Sequence, residues 1–290
     1  MEMTESVNRV GRCDKVVISM SGGLDSTCLA LYYLAEGYRV KAYGFDYGQR
    51  HSVELKRLRN NVKWLSRQGW PIELQVINLR DVFSGSVCSM HAESGHEIPH
   101  GLYNEDNMRS TVEPNRNVIF SAIIFAKALN WAMKENDKVC ISMGVHSGDH
   151  SQYPDTTPES VEACRHAYFV SNWESDRVVY DAPFVNLDKA EVLKRGLEAM
   201  DEMGFDLPEK ERILKNTNTC YDPDKKGRSC GKCGSCTERA YAFFVNGWVD
   251  PAPSQISVEE QYEIGRKIWS SQPKDEGEHH PDTCHDGHAI

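Results

Sequence analysis

The chain has 290 residues, 40% of them hydrophobic, and a formal net charge of −10, which suits one large soluble domain with an appendage. That acidic balance argues against sequence-independent binding to a nucleic-acid backbone and favours a small-molecule substrate. No apolar run approaches a membrane span, and the start Met1-Glu2-Met3-Thr4-Glu5 lacks the apolar core of a signal peptide, so a cytoplasmic protein with reduced cysteines is expected.

The first apolar, β-branched run lies at 16–20 and feeds Ser21-Gly22-Gly23-Leu24-Asp25-Ser26-Thr27, after which a helix-like run covers 26–36. A strand, a tight glycine turn and a helix start are therefore expected. Two glycines let the backbone turn sharply and approach a ligand, while Ser26 and Thr27 place hydroxyls and free backbone N–H groups at a helix N-terminus. An anion, above all a phosphate, is welcome there. The spacing is neither the Gly-x4-Gly-Lys-Ser/Thr of a nucleoside triphosphate P-loop nor the Gly-x-Gly-x-x-Gly of a dinucleotide fold.

Further strands are expected at 39–46, 72–78, 138–144 and 177–181, with helices at 52–67, 117–134, 159–170 and 188–203. This alternation predicts an α/β architecture with a doubly wound parallel sheet, in which ligands bind at the carboxyl ends of the strands. The glycine loop, the segment after Phe45 and the segment after Met143 then converge on one crevice. Residues 81–113, rich in Ser, Gly, His and Asn, break the alternation and read as a long loop or lid.

Cys220, Cys230, Cys233 and Cys236 form Cys-x9-Cys-x2-Cys-x2-Cys, with Gly231 and Gly234 each directly after a cysteine to allow tight turns. Four thiolates suit a closed, tetrahedral and structural Zn²⁺ site; an iron–sulfur cluster is the rival, and a redox Cys-x-x-Cys pair accounts less well for two overlapping pairs. Cys13, Cys28, Cys88, Cys140 and Cys164 are scattered and read as buried or bland thiols. The end of the chain is acidic and carries His279, His280, Cys284, His285 and His288, as a disordered tail does.

The loop at 21–27 resembles the pyrophosphate-binding loop of the adenylating PP-loop ATPases, which cleave ATP between its α- and β-phosphates. Beyond it stand Tyr47-Gly-Gln-Arg-His51, Pro114-Asn-Arg-Asn117, Tyr153-Pro-Asp155 with Asp149 before it, Leu187-Asp-Lys189, and Thr219-Cys-Tyr221 through Cys236 with Arg239. With these, the stretch from 15 to 246 closely resembles the 7-cyano-7-deazaguanine synthase family of queuosine biosynthesis. The resemblance implies an adenine nucleotide alpha hydrolase-like fold: a PP-loop ATPase domain at 1–210, a four-cysteine zinc-binding helical region at 211–250, and a C-terminal helix with an acidic tail at 251–290. It implies adenylation of the carboxylate of 7-carboxy-7-deazaguanine by ATP and amide formation with ammonia. A second activation then expels the amide oxygen to leave a nitrile. ATP, Mg²⁺ and Zn²⁺ are the implied cofactors, and a homo-oligomer is expected by analogy.

Under that resemblance Ser19, Ser21, Gly22, Gly23, Leu24, Asp25, Ser26 and Thr27 form the ATP site, with Asp25 a partner for Mg²⁺. Asp25, Arg116 and Lys189 are the catalytic candidates, Lys189 supplying a compact charge as pyrophosphate leaves. Tyr47, Gln49, Arg50, His51, Asn115 and Asn117 are assigned to the substrate, although helix capping would account equally for Arg50, His51 and the Asn-rich helix start. Asp149 and Asp155 would accept from the ring N–H and amino groups of the deazaguanine, and Tyr153 would stack or hydrogen-bond. No covalent nucleophile is required, because the substrate carboxylate is itself the attacking group.

Some positions depart from the family pattern. Gln152 and Thr156 stand where a Gly and a Cys are usual around Tyr-Pro-Asp, and Asn115 stands where a glycine is usual. Two further readings follow. One is a relative that stops at the amide, or joins the deazaguanine carboxylate to a protein or other amine, as in phage or anti-phage loci. The other is a nucleotide-binding interaction module without turnover.

Overall fold

In the computed structural model, which describes residues 13–101, 108–146 and 153–271, five parallel strands form one sheet. β1 (Lys15–Ser19), β2 (Arg39–Asp46), β3 (Ile72–Asn78), β4 (Val139–Met143) and β5 (Val178–Asp181) lie in the order β3-β2-β1-β4-β5. β1 pairs with β2 on one side and β4 on the other, so that Ser19 stands opposite both Tyr43 and Met143. The winding reverses there, and the carboxyl ends of β1 and β4 open a crevice at the switch point of the sheet.

Helices α1 (Leu24–Ala35), α2 (Val53–Arg67), α5 (Lys189–Glu202), α6 (Leu207–Lys215), α7 (Gly234–Val245) and α8 (Val258–Ser271) pack into one core, and α3 (Arg116–Glu135) and α4 (Pro158–Ser171) border the other. The strand period explains why both cores exist: Val16 and Ile18 enter the first, Val17 enters the second, and all three are fully buried. On α3, Phe120, Ile124, Ala128 and Trp131 recur every three or four residues and supply the buried stripe that covers the second face.

Two local features aim this scaffold at the crevice. Asp188 caps α5 by accepting from the Glu191 N–H at 2.7 Å while the Glu191 carboxylate takes the Asp188 N–H at 2.8 Å, which fixes the helix start and with it Lys189. Midway along α5, Gly196 lets the helix close on α1, since a Cβ there would lie 2.4 Å from Cys28 Sγ. The expected strands and the five expected helices are all present, with ends displaced by no more than two residues. Among the described residues no helix is long and apolar enough to cross a membrane.

Candidate active site

β1 ends at Ser19, and the chain turns through Ser21–Gly23 before α1 begins at Leu24. Gly22 has a φ of +92°, and a Cβ there would sit 2.4 Å from the Glu54 carbonyl oxygen, so only glycine fits between this turn and α2. Ser21 Oγ accepts from the Gly23 N–H at 3.0 Å and lies 3.1 Å from Ser26 Oγ, which itself accepts from the Ser21 N–H at 3.2 Å. The Thr27 hydroxyl donates to Gly23 O at 2.7 Å, and the Asn218 N–H donates to Gly22 O at 2.9 Å. The turn is thus held by its own hydroxyls. No side chain caps α1, which leaves its first-turn N–H groups facing the crevice for an anion or water.

That crevice is a cavity of about 240 Å³. Ser19, Ser21, Gly23, Asp25 and Ser26 line it from the loop, Tyr47 and His51 from the end of β2, Arg116 and Asn117 from the start of α3, Tyr153 and Asp155 from the turn before α4, and Lys189 from α5. Lys189 Nζ is 2.7 Å from Asp25 Oδ2, and His146 Nε2 is 3.8 Å from the same oxygen. Burial alone would raise the Asp25 carboxyl, but the Lys189 ammonium outweighs it and holds the acid below its usual range. Burial and Lys189 together keep His146 neutral, down to about 4.

Arg116 Nη1 donates to Tyr47 Oη at 3.3 Å and Nε to Asn117 Oδ1 at 3.4 Å, with the guanidinium 5.7 Å from the centre of the Tyr47 ring. Burial opposes its charge, yet Tyr47, Tyr221 and Asp155 hold it firmly protonated. Tyr153 Oη lies 2.7 Å from Thr111 Oγ1, which ties the turn before α4 to the end of the 81–113 segment. His51 is held down to about 3 by burial and by Arg116.

Not every residue singled out in the sequence faces the cavity. Gln49 braces it from behind: its Oε1 accepts from the Tyr47 N–H at 3.0 Å, and its Nε2 donates to Phe45 O at 3.0 Å and Glu54 Oε1 at 2.9 Å. The Arg50 N–H donates to Met90 O, and its side chain is not among the lining groups; Gly22, Leu24, Thr27 and Asn115 likewise shape the backbone around the cavity. Asn115 makes no side-chain cap to α3 and takes a left-handed φ of 57°. Asp149 lies outside the described residues, as does Gln152.

Other lining residues escaped the sequence reading, among them Glu54, His146, Ser235 and Glu238. Two carried a signal. Glu54 is one helical turn beyond His51, and His146 follows the carboxyl end of β4, where ligands bind in this architecture.

Beside the cavity, Cys220, Cys230, Cys233 and Cys236 bring their four sulfurs within 4.8 Å of one another, all buried. Cys233 and Cys236 Sγ are 3.5 Å apart, and none of the four forms a disulfide. Backbone N–H groups point at the sulfurs: those of Asp222 and Cys230 at Cys220 Sγ (3.3 and 3.2 Å), and those of Lys232 and Cys233 at Cys230 Sγ (both 3.4 Å). Such donors favour thiolates, so the set could hold a metal with four sulfur ligands. Tyr221 follows the first cysteine into the cavity wall, and Arg239 on α7 grips Asp250 at 2.6 and 2.8 Å and the hydroxyls of Thr217 and Thr219 at 2.9 and 3.0 Å.

A parallel sheet whose central strand delivers a Ser-Gly-Gly turn and an uncapped helix start to its switch point defines a nucleotide-binding α/β protein of the PP-loop kind. The family model described as "Queuosine biosynthesis protein QueC" matches residues 15–247, and the chain belongs to this family of ATP-dependent enzymes. It is similar to 7-cyano-7-deazaguanine synthase 1 of Colwellia psychrerythraea, with 36% identity over 83% of this chain and 98% of the relative. The 7-cyano-7-deazaguanine synthase of a Marinomonas species is 37% identical over 82% of this chain and 97% of its own, and that of Caldicellulosiruptor bescii 33% identical over 84% and 99%. A solved NMN synthetase from Francisella tularensis is more distant, with a TM-score of 0.36 and 13% identity over 88% of this chain and 85% of that one.

Proposed function

We propose that this chain is a 7-cyano-7-deazaguanine synthase, an ATP-dependent ligase acting on 7-carboxy-7-deazaguanine and ammonia. The observation that carries the reading is the convergence, in one cavity, of the Ser21–Gly23 turn and Lys189 with Arg116, Tyr47, Tyr153 and Asp155. A phosphate grip and a cation for the leaving group thus face donors and acceptors suited to a carboxylated heterocycle. The relatives carry the synthase name, which does not favour the amide-stopping, conjugating or non-catalytic readings.

The reaction follows from what the side chains supply. Ser21, Gly23 and Ser26, with the N–H groups of α1, hold the phosphates that depart, while Lys189 balances their growing charge. Arg116 and Asn117 orient the substrate carboxylate towards the α-phosphate, and Tyr153 with Asp155 engages the ring edge. Carboxylate oxygen displaces pyrophosphate, ammonia displaces AMP from the acyl adenylate, and the amide oxygen then takes a second AMP and leaves with it. Asp25 Oδ1 has no hydrogen-bond partner among the described residues, which fits a ligand for Mg²⁺. Mg²⁺ characteristically takes one carboxylate plus phosphate oxygens and neutralises their charge when bound. The four sulfurs fit Zn²⁺ in a closed, structural role. The reading carries with it a cytoplasmic setting, a homo-oligomer, and the division into an ATPase domain at 1–210, a zinc region at 211–250 and a C-terminal appendage.

Pyrophosphate release on adding 7-carboxy-7-deazaguanine, with mass spectrometry of the product, tests this. The nitrile is expected with ammonia alone. A free amide, or a conjugate when a protein amine is supplied, would move the chain to the other enzymatic reading, and ATP left uncleaved would leave only the binding module.

A further inference from the structure

We propose that Glu54, on the first turn of α2, is the base that takes protons from the reacting nitrogen. The proposal rests on the synthase reading above and adds a residue to it. The chemistry demands such a group. An ammonium nitrogen enters with four protons and ends in a nitrile with none, so one proton must leave before attack, one on forming the amide, and two on converting it to the nitrile. AMP carries away the oxygen, and the released phosphates can take up protons in the end, but the N–H bonds break at the acyl carbon, where a group beside the nitrogen must receive each proton first.

Of the acids that line the cavity, Asp155 is assigned to the ring edge of the substrate and Glu238 belongs to α7, beside the cysteine cluster. Asp25 is committed to Lys189 at 2.7 Å on the phosphate side of the cavity and is the carboxylate suited to Mg²⁺, so it is not available to the nitrogen. His146 and His51 are kept neutral by burial down to about 4 and about 3, so neither holds a proton near neutral pH. Glu54 differs in its surroundings. It is 6% exposed, lines the cavity, and its carboxylate receives, among the described residues, a single hydrogen bond from a neutral donor, the Gln49 amide at 2.9 Å. His51 Nε2 lies 3.7 Å from the same oxygen, and among the described residues no lysine or arginine pairs with it. Burial raises this carboxyl to about 8, against the Gln49 bond and the more distant Arg116, which places it where a general base for ammonium works best.

The placement is built rather than incidental. Gly22 of the phosphate loop packs on the backbone carbonyl of Glu54, which seats the first turn of α2 directly against the loop. Gln49 spans from Tyr47 and Phe45 to Glu54 and fixes the acid from its other side. His51 also lines the cavity, and its Nδ1 is buried without a hydrogen-bond partner among the described residues. In each step one N–H bond breaks and its proton passes to the Glu54 carboxylate, which hands it on to a departing phosphate oxygen or to water before it takes the next.

The test uses the full-length enzyme and Glu54→Gln, which keeps the shape and the acceptor for Gln49. Pyrophosphate–ATP exchange driven by 7-carboxy-7-deazaguanine should persist within a few-fold, because adenylation moves no proton. Amide and nitrile formation from ammonium should fall by about 10²–10⁴ at pH 7. Hydroxylamine, unprotonated at that pH, should restore much of the attack and give the hydroxamate, and Glu54→Asp should recover part of the ammonia reaction. Nitrile formation by Glu54→Gln at near wild-type rate would overturn the assignment, and so would equal loss of exchange and of hydroxamate formation, which would make Glu54 a binding or packing residue. Failure of the wild-type enzyme to exchange pyrophosphate would instead overturn the synthase reading itself.

Discussion

At Lys189 a buried ammonium, 3% exposed, pairs with the partly buried Asp25 carboxylate. Breaking such a pair strands the partner, typically at about 3–5 kcal/mol, whereas removing both charges is close to neutral. Lys189→Met should therefore lower the urea midpoint and slow pyrophosphate release by about 10²–10³, the usual effect of losing one preorganised charge at a developing anion. Adding Asp25→Asn should recover most of the stability and none of the turnover; a double variant as unstable as the single would show that the two side chains are not coupled. The residue scale also shows what the sequence could convey. Asp25, Arg116 and Lys189 were legible because each sits in a short motif beside a strand end or helix start. Glu54 and His146 carried only a positional signal, one helical turn beyond His51 and just past a strand end, because what sets them apart is burial, which no short motif encodes. Asn115 is intermediate. Its departure from the usual glycine is explained by a left-handed φ of 57°, which glycine takes freely and asparagine tolerates better than other side chains.

The segment at 81–113, expected as a lid, is fastened at both sides where it is described. The Arg50 N–H donates to Met90 O at 2.9 Å, the Ala92 N–H donates to Gly48 O at 2.8 Å, and the His91 ring meets Tyr47 O at 3.0 Å. Farther on, the Gly101 N–H donates to Lys232 O at 2.8 Å, and Cys88, Met90 and Ile98 share a core with the four clustered cysteines. The four-cysteine knuckle and the wall of the cavity are thus one packing unit. Cys233→Ser should release metal and also raise hydrogen exchange at the Arg50, Ala92 and Gly101 amides, with a higher KM for the deazaguanine. Loss of metal with those three amides still protected would separate the elements. The strands and the five long helices were readable from periodicity because each buries one face against the sheet. α6 and α7 were not, since α6 is a short charged stretch with apolar residues only at its ends, and α7 begins inside the cysteine pattern.

At the scale of the whole molecule, three buried groups in one cavity contribute opposing slopes to the response of stability to pH. His51 and His146 fall from 6.5 to about 3 and about 4 on folding, while Glu54 rises from 4.5 to about 8. Between about pH 4.5 and 6.5 the unfolded chain binds both histidine protons that the folded protein refuses, and the folded protein keeps the one Glu54 proton that the unfolded chain has released. The unfolded state therefore holds a net excess of one proton, and stability rises with pH by about 1.4 kcal/mol per unit. Between 6.5 and about 8 Glu54 is the one of these three that differs: the folded state holds its proton, and its contribution to stability falls as pH rises at a similar slope. Asp25, whose carboxyl is depressed on folding, adds stability above its unfolded value of 3.8 that is lost only below that pH, so it does not move this window. The summed contribution of these three should accordingly peak near pH 6.5, and the Glu54 part of it is read as the difference between the wild-type and Glu54→Gln profiles. Urea midpoints taken from pH 5 to 8 would show the peak, and Glu54→Gln should abolish the decline above it while roughly doubling the slope below. Midpoints that are flat across the range in both proteins would mean that water reaches all three groups and that the cavity is not the dry pocket its packing describes.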